Sequence, residues 1–233
     1  MRKVDPADVR TAFVDEVSDL MTYLGRTRRA LEGDVHEKGD ISRLASTTFL
    51  ALFVTFERFL SDLFLAYLNR DFSQYQADLE NRLMVSVGER FGAWAQQRTR
   101  FNTLEHVGVN DLEGIVDPSG WNLTFRNAEM LRSKARQWLA PPYANRIDGL
   151  SDHDDRLVDT AHAIRDFIAH QSPGAKNRMN ALLLTVAQGA NNQYLNRGVH
   201  EVHRVGTYLK AVFDGQRRIA IYSARLIDIA TRA

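Results

Sequence analysis

Apolar positions along this chain recur at three- and four-residue steps, the period of an amphipathic helix, and no clear run alternates as a strand would. The pattern is strongest over 41–71. There Phe49, Phe53, Phe56, Leu60, Leu63 and Tyr67 keep the helical period, and Ser42 is the expected N-cap. The apolar arc is wide, which predicts burial on more than one side. Each large side chain buried contributes roughly 1.5–3 kcal/mol, so this segment is the expected central column.

A first helix is predicted over 6–32, with its stripe at Phe13, Val17, Leu20, Leu24 and Leu31. It is broken by EGDVHEKGD, with two glycines and mixed charge. Further helices are expected over 75–100, 124–139, 152–171 and 176–190, with one long or two shorter ones over 199–232. Pro141-Pro142 should stop the 124–139 helix, and Pro173-Gly174 the 152–171 helix. HVGVNDLEGIVDPSGWN reads as a connection punctuated by glycine and proline. No repeat, low-complexity tract or long linker divides the chain, so the expectation is a single all-α domain over 1–233.

With 233 residues, 44% of them hydrophobic, the chain can build a core without staples. It has no cysteine, which excludes disulfides, thiolate metal sites and cysteine nucleophiles. The apolar stretch from Phe49 to Leu68 is interrupted by Glu57, Arg58 and Asp62, so no membrane partner is expected. The polar start, MRKVDPADVR, carries no secretory signal, and the expected location is cytoplasmic. Thirty basic side chains balance 29 acidic ones, so any surface for nucleic acid must be local.

Candidate chemistry concentrates in DHDDRLVDTAHAIRDFIAHQSPG. On a helix turning about 100° per residue, Leu157, Ala161, Ile164 and Ile168 share the arc expected to face the core. His162, Asp166 and His170 fall at i, i+4 and i+8 on the opposite face, with Arg165 on its flank. Arg165 and His170 are five residues apart, so their directions differ by about 140°. Either a long arginine bends across the face, or two copies of the helix meet and pool two Arg and two His in one cleft. The second arrangement predicts a homodimer with its site at a two-fold seam. Arginine offers a charged planar fork to a phosphate, and histidine exchanges a proton near neutral pH. Together they suit metal-free phosphodiester chemistry on RNA, which carries its own 2′-hydroxyl nucleophile.

Arg165-Asp-Phe-Ile-Ala-His170 resembles the R-x4-6-H motif of HEPN domains (higher eukaryotes and prokaryotes nucleotide-binding), and IRDFIAHQ is similar to their common R-N-x-I-A-H sequence. FVTFERFLSDLF resembles the family's long helix with an acid at its middle. GWNLTFRNAEMLRSKARQWL resembles the loop and short helix of the RiboL-PSP-HEPN branch. The resemblance covers about residues 40–175, leaving 176–233 as additional C-terminal helices. It implies a HEPN-like up-down helical bundle, homodimerisation, and metal-independent endoribonuclease activity in toxin–antitoxin, phage-defence or stress systems. An antitoxin or defence-system partner would follow, and no cofactor. It makes Arg165 and His170 the catalytic pair. Asp166 stands where the family usually has Asn, a departure that either positions Arg165 and His170 or repels RNA and marks a non-catalytic nucleotide-, RNA- or protein-binding module.

Other residues carry competing readings. Glu57 is either a partner that orients Arg165 across the bundle or an exposed seam between buried arcs. His162, Asp166 and His170 have the spacing of metal ligands on one helix face, yet no fourth ligand is identifiable and no metal is expected. Arg126, Arg132, Lys134 and Arg136 give the 124–139 helix a basic side that could guide RNA phosphates, or a merely solvated face. Trp94, Trp121 and Trp138 are expected as core or interface anchors rather than base-stacking platforms.

Overall fold

The apolar column is helix α2, Glu37–Arg70, in a computed structural model that describes residues 3–102, 107–120, 123–187 and 190–233. Phe49, Phe53, Phe56, Leu60, Leu63 and Tyr67 are all buried along it. The helix begins five residues before Ser42, with His36 at the cap. Ser42 lies inside it and donates its hydroxyl to the Lys38 carbonyl at 2.9 Å. Glu37 and Asp40 occupy the first turn, where the positive end of the helix dipole favours carboxylates, and this support outweighs Gly39.

Helix α1, Pro6–Ala30, starts on an Asp5 cap that accepts from the Ala7 amide at 3.0 Å, with Pro6 in its first turn. It lies antiparallel to α2. The Val4 amide reaches Asn69 at 2.8 Å at one end, and Thr55 donates to Glu16 at 3.0 Å further along. Phe13 packs on Phe59 between them, with ring centroids 4.6 Å apart.

Helix α3, Ser73–Arg98, buries only Tyr75. At Gly92 φ is 78°, a conformation open to glycine, and the chain reverses there. Gln96 then donates to the Met84 carbonyl at 3.2 Å, making a helical hairpin that leaves Phe91 and Trp94 exposed. Trp94 is therefore not a core anchor, whereas Trp138 is buried and Trp121 lies outside the described residues.

Helices α4 (Val109–Val116), α5 (Ala128–Trp138) and α6 (Pro141–Asp148) cover the middle of the chain. Pro141 and Pro142 do end α5, but they also open α6, because proline in the first turn lacks only an amide that would go unbonded anyway. The site-bearing helix is α7, Asp152–His170. Ser151 caps it in a reciprocal box with Asp154, and Gln171 closes it at φ 50°. Leu157, Ala161 and Ile164 are fully buried, and Ile168 packs at the edge of the core.

Helix α8, Pro173–Thr185, follows at once and packs back on α7. After a 3-10 turn at Ala190–Leu195 come α9 (Val205–Lys210), strands β1 (Val212–Phe213) and β2 (Gln216–Arg217), and α10 (Arg218–Arg232). The strands pair antiparallel around Asp214-Gly215, both at positive φ, the expected chemistry for a tight hairpin turn. Buried side chains from α1 to α10, α3 contributing only Tyr75, form one contiguous core. The described residues thus make an all-α bundle with one two-stranded hairpin. Among them no helix is long and apolar enough to cross a membrane.

Candidate functional site

Helix α7 lies against α2 through its apolar arc, and this contact sets a polar knot on the shoulder of the core. His162 turns its ring edge-on to Phe53, with centroids 5.6 Å apart. One turn of α2 later Glu57 breaks the apolar column, its side chain 15% exposed. Arg165 reaches across from α7: Nη2 donates to Glu57 Oε2 at 3.3 Å and Nη1 to Asp166 Oδ1 at 3.0 Å. The guanidinium side chain remains 29% exposed. Glu57 is thus a partner of Arg165 across the bundle, one of the two readings its position allowed.

Asp166 joins three groups. Besides Arg165, its Oδ2 lies 3.2 Å from His162 Nδ1 and 3.6 Å from Arg178 Nη1 on α8. The His162 contact is close but misaligned, leaving Nδ1 buried without a hydrogen bond among the described residues. Burial pushes the Glu57 carboxyl up; Arg165 opposes that and the Asp166 charge reinforces it. Burial pushes the His162 imidazole down; Asp166 opposes that, while Arg165 and Arg178 add to it. His162 is therefore a neutral ring beside an arginine–carboxylate network.

His170 does not join this knot. It is exposed in the last turn of α7 and makes no hydrogen bond or ion pair among the described residues. The structure therefore brings Glu57, His162, Arg165 and Asp166 together within one chain and leaves His170 facing outward. His162, Asp166 and His170 do not converge. Among the described residues no group of three or more His, Asp or Glu side chains could hold a metal ion.

The basic side expected on the 124–139 helix is largely spent. Arg132 turns inward, bonding Asp155 at 2.8 Å and the carbonyls of Asp148 and Leu150. Arg136 pairs with Asp148 at 2.7 Å and Glu129 at 3.5 Å. Lys134 lies 4.3 Å over the Trp138 ring and donates to Gln137. Only Arg126, which precedes α5, is exposed without such a partner among the described residues. A helix wheel counts charges but does not see the carboxylates that α6 and α7 bring to them.

Arg178 is a member of the knot that sequence reasoning missed. Nothing in its own helix marks it; only the tight Gln171-Ser172 turn, which folds α8 back on α7, carries it to Asp166. Comparison with protein-family models, curated proteins and solved structures finds no match to this chain.

Proposed function

We propose that this chain is a metal-independent endoribonuclease of the HEPN type that works as a homodimer, in toxin–antitoxin, phage-defence or stress response. One observation carries the reading. Helix α7 holds a partly exposed guanidinium, oriented from two sides by Glu57 and Asp166, and presents an unpaired imidazole at its exposed end. The two side chains diverge by about 140° on one helix. Two helices meeting about a two-fold axis bring one copy's Arg165 toward the other's His170.

In that cleft one His170 accepts the proton of an RNA 2′-hydroxyl while the oxygen attacks phosphorus. Arg165 stabilises the charge that gathers on the phosphoryl oxygens. The second His170 gives a proton to the departing 5′-oxygen, leaving a 2′,3′-cyclic phosphate. Glu57 and Asp166 are positioning residues here, because they hold Arg165 and touch no substrate. His162 is a supporting neighbour that stays neutral.

The test is RNA cleavage by the purified chain with EDTA present. Arg165→Ala and His170→Ala should each abolish product while circular dichroism stays unchanged. Cleavage that persists in both variants overturns the reading. A second reading has its own observation: Arg165 is already engaged by two carboxylates, as a group built to hold rather than to react. RNA or nucleotide binding that needs Arg165 but yields no product would assign a non-catalytic module instead.

A further inference from the structure

Away from the polar knot, the crossing of α2 and α9 makes an open groove of about 800 Å³. The crossing is close because of Gly206. A Cβ there would stand 1.8 Å from the Ser42 carbonyl oxygen, so no other residue fits without moving a backbone. This approach sets Arg204 and Lys210 of the α9 segment opposite Lys38 and Arg43 of α2. None of the four makes an ion pair among the described residues and no carboxylate lines the groove; Lys210 donates to the Lys38 carbonyl at 2.7 Å, tying the two helices together. Three acids, Asp34, Glu37 and Asp40, line an adjoining hollow that shares Lys38, Gly39 and Arg43 with the groove. In a chain with 30 basic and 29 acidic residues, four cations without a carboxylate partner in one groove are a local excess.

The groove opens at the site helix. Ile168 and Gln171 form part of its wall, and Gln171 directly follows His170. From Thr47 in the groove to Glu57 in the knot is ten residues of α2, about 15 Å. Ser42, Ser46 and Thr47 also line it, and each already donates its proton to a carbonyl of its own helix. Their oxygens therefore face the groove as acceptors, which suits a hydroxyl donor on the ligand.

We propose that the α2–α9 groove binds the phosphodiester backbone of RNA, with Lys38, Arg43, Arg204 and Lys210 on phosphates and the α2 hydroxyls accepting from ribose. The choice of RNA rests on the ribonuclease reading; the need for a polyanion rests on the groove alone. On the α5 face, by contrast, Arg132 and Arg136 are already held by carboxylates, which leaves Arg126 and Lys134 as its cations without one.

The test uses the full chain carrying His170→Ala, so that nothing is cut, and a fluorescein-labelled oligouridylate followed by anisotropy. Four phosphate contacts on a single strand predict an affinity loss of about 50-fold between about 50 and 200 mM salt. Adding Arg43→Gln and Arg204→Gln, both exposed, should weaken that dependence to about 7-fold. An unchanged salt dependence in a variant with unchanged circular dichroism overturns the groove assignment. Equal binding of oligodeoxythymidylate overturns the ribose contacts, and equal competition by polyglutamate overturns the nucleic-acid assignment. Groove-dependent binding in a wild-type chain that cuts nothing would sink the ribonuclease reading and leave the groove intact.

Discussion

Asp154 fixes the beginning of the helix that carries the site, and its removal has a size the structure sets. Its side chain is 1% exposed. Both oxygens take the Arg232 guanidinium, at 2.8 and 2.9 Å, while the Ser151 amide and hydroxyl donate at 2.8 and 2.7 Å. Burial alone would raise this carboxyl; the bonds from Arg232 and Ser151 overcome it and hold it at about 2, against an ordinary 3.8. That difference is worth about 2.5 kcal/mol at neutral pH. The folded value is the depressed one, so the stabilisation is complete above 3.8 and is lost as pH falls through about 2. Asp154→Asn keeps the size and one acceptor but not the charge. Urea unfolding should show a loss of about 2–3 kcal/mol at pH 7, with about half of it left at pH 3. A gap under about 0.5 kcal/mol at pH 7, or one that does not shrink with acid, would refute the linkage argument.

Two other substitutions separate fold from function. Burial raises the Glu57 carboxyl, so the fold favours its neutral form and loses stability as pH rises through its titration. Glu57→Gln should therefore leave the melting temperature at pH 7 unchanged or higher, while freeing Arg165 and cutting RNA cleavage at least about ten-fold; a large fall in melting temperature would contradict this. Gly206→Ala forces a Cβ into the Ser42 carbonyl and should cost about 1–3 kcal/mol in urea unfolding, weakening RNA binding as α9 moves off α2; a neutral result would mean the crossing is looser than described.

The buried skeleton was legible because burial leaves a period. Six side chains of α2 at helical steps, and Leu157, Ala161 and Ile164 of α7, all reached the core the pattern assigned them. Misread features were those in which one residue serves two purposes. Pro141-Pro142 reads as a stop, yet it is equally a start. Ser42 reads as a cap, yet the helix already starts at Glu37, five residues earlier, with Glu37 and Asp40 in its first turn. Asp214-Gly215 between Val212-Phe213 and Gln216-Arg217 is a hairpin signal in plain view, too short to show as alternation. The site was half legible. Glu57 stood out as an acid in an apolar column, but Arg178, Lys38, Arg43, Arg204 and Lys210 are ordinary surface cations until the chain folds.

The polar knot is poorly explained as a stabilising device. Glu57 and His162 are both driven toward their neutral forms by burial, and His162 Nδ1 has no hydrogen bond among the described residues. The Asp154 network does the opposite, pulling its carboxyl far down with aligned bonds from two directions. Both carboxylates face arginine, and both are largely buried, so the contrast lies in how fully the charge is satisfied. Aligned donors saturate Asp154. Around Glu57, one long bond from an arginine shared with Asp166 leaves the charge under-compensated. Groups kept in that condition are the ones whose positions a function can demand. Asp166 is the shared carboxylate of this knot: it takes Arg165 at 3.0 Å and lies 3.6 Å from Arg178, so neither guanidinium has a carboxylate fully to itself there.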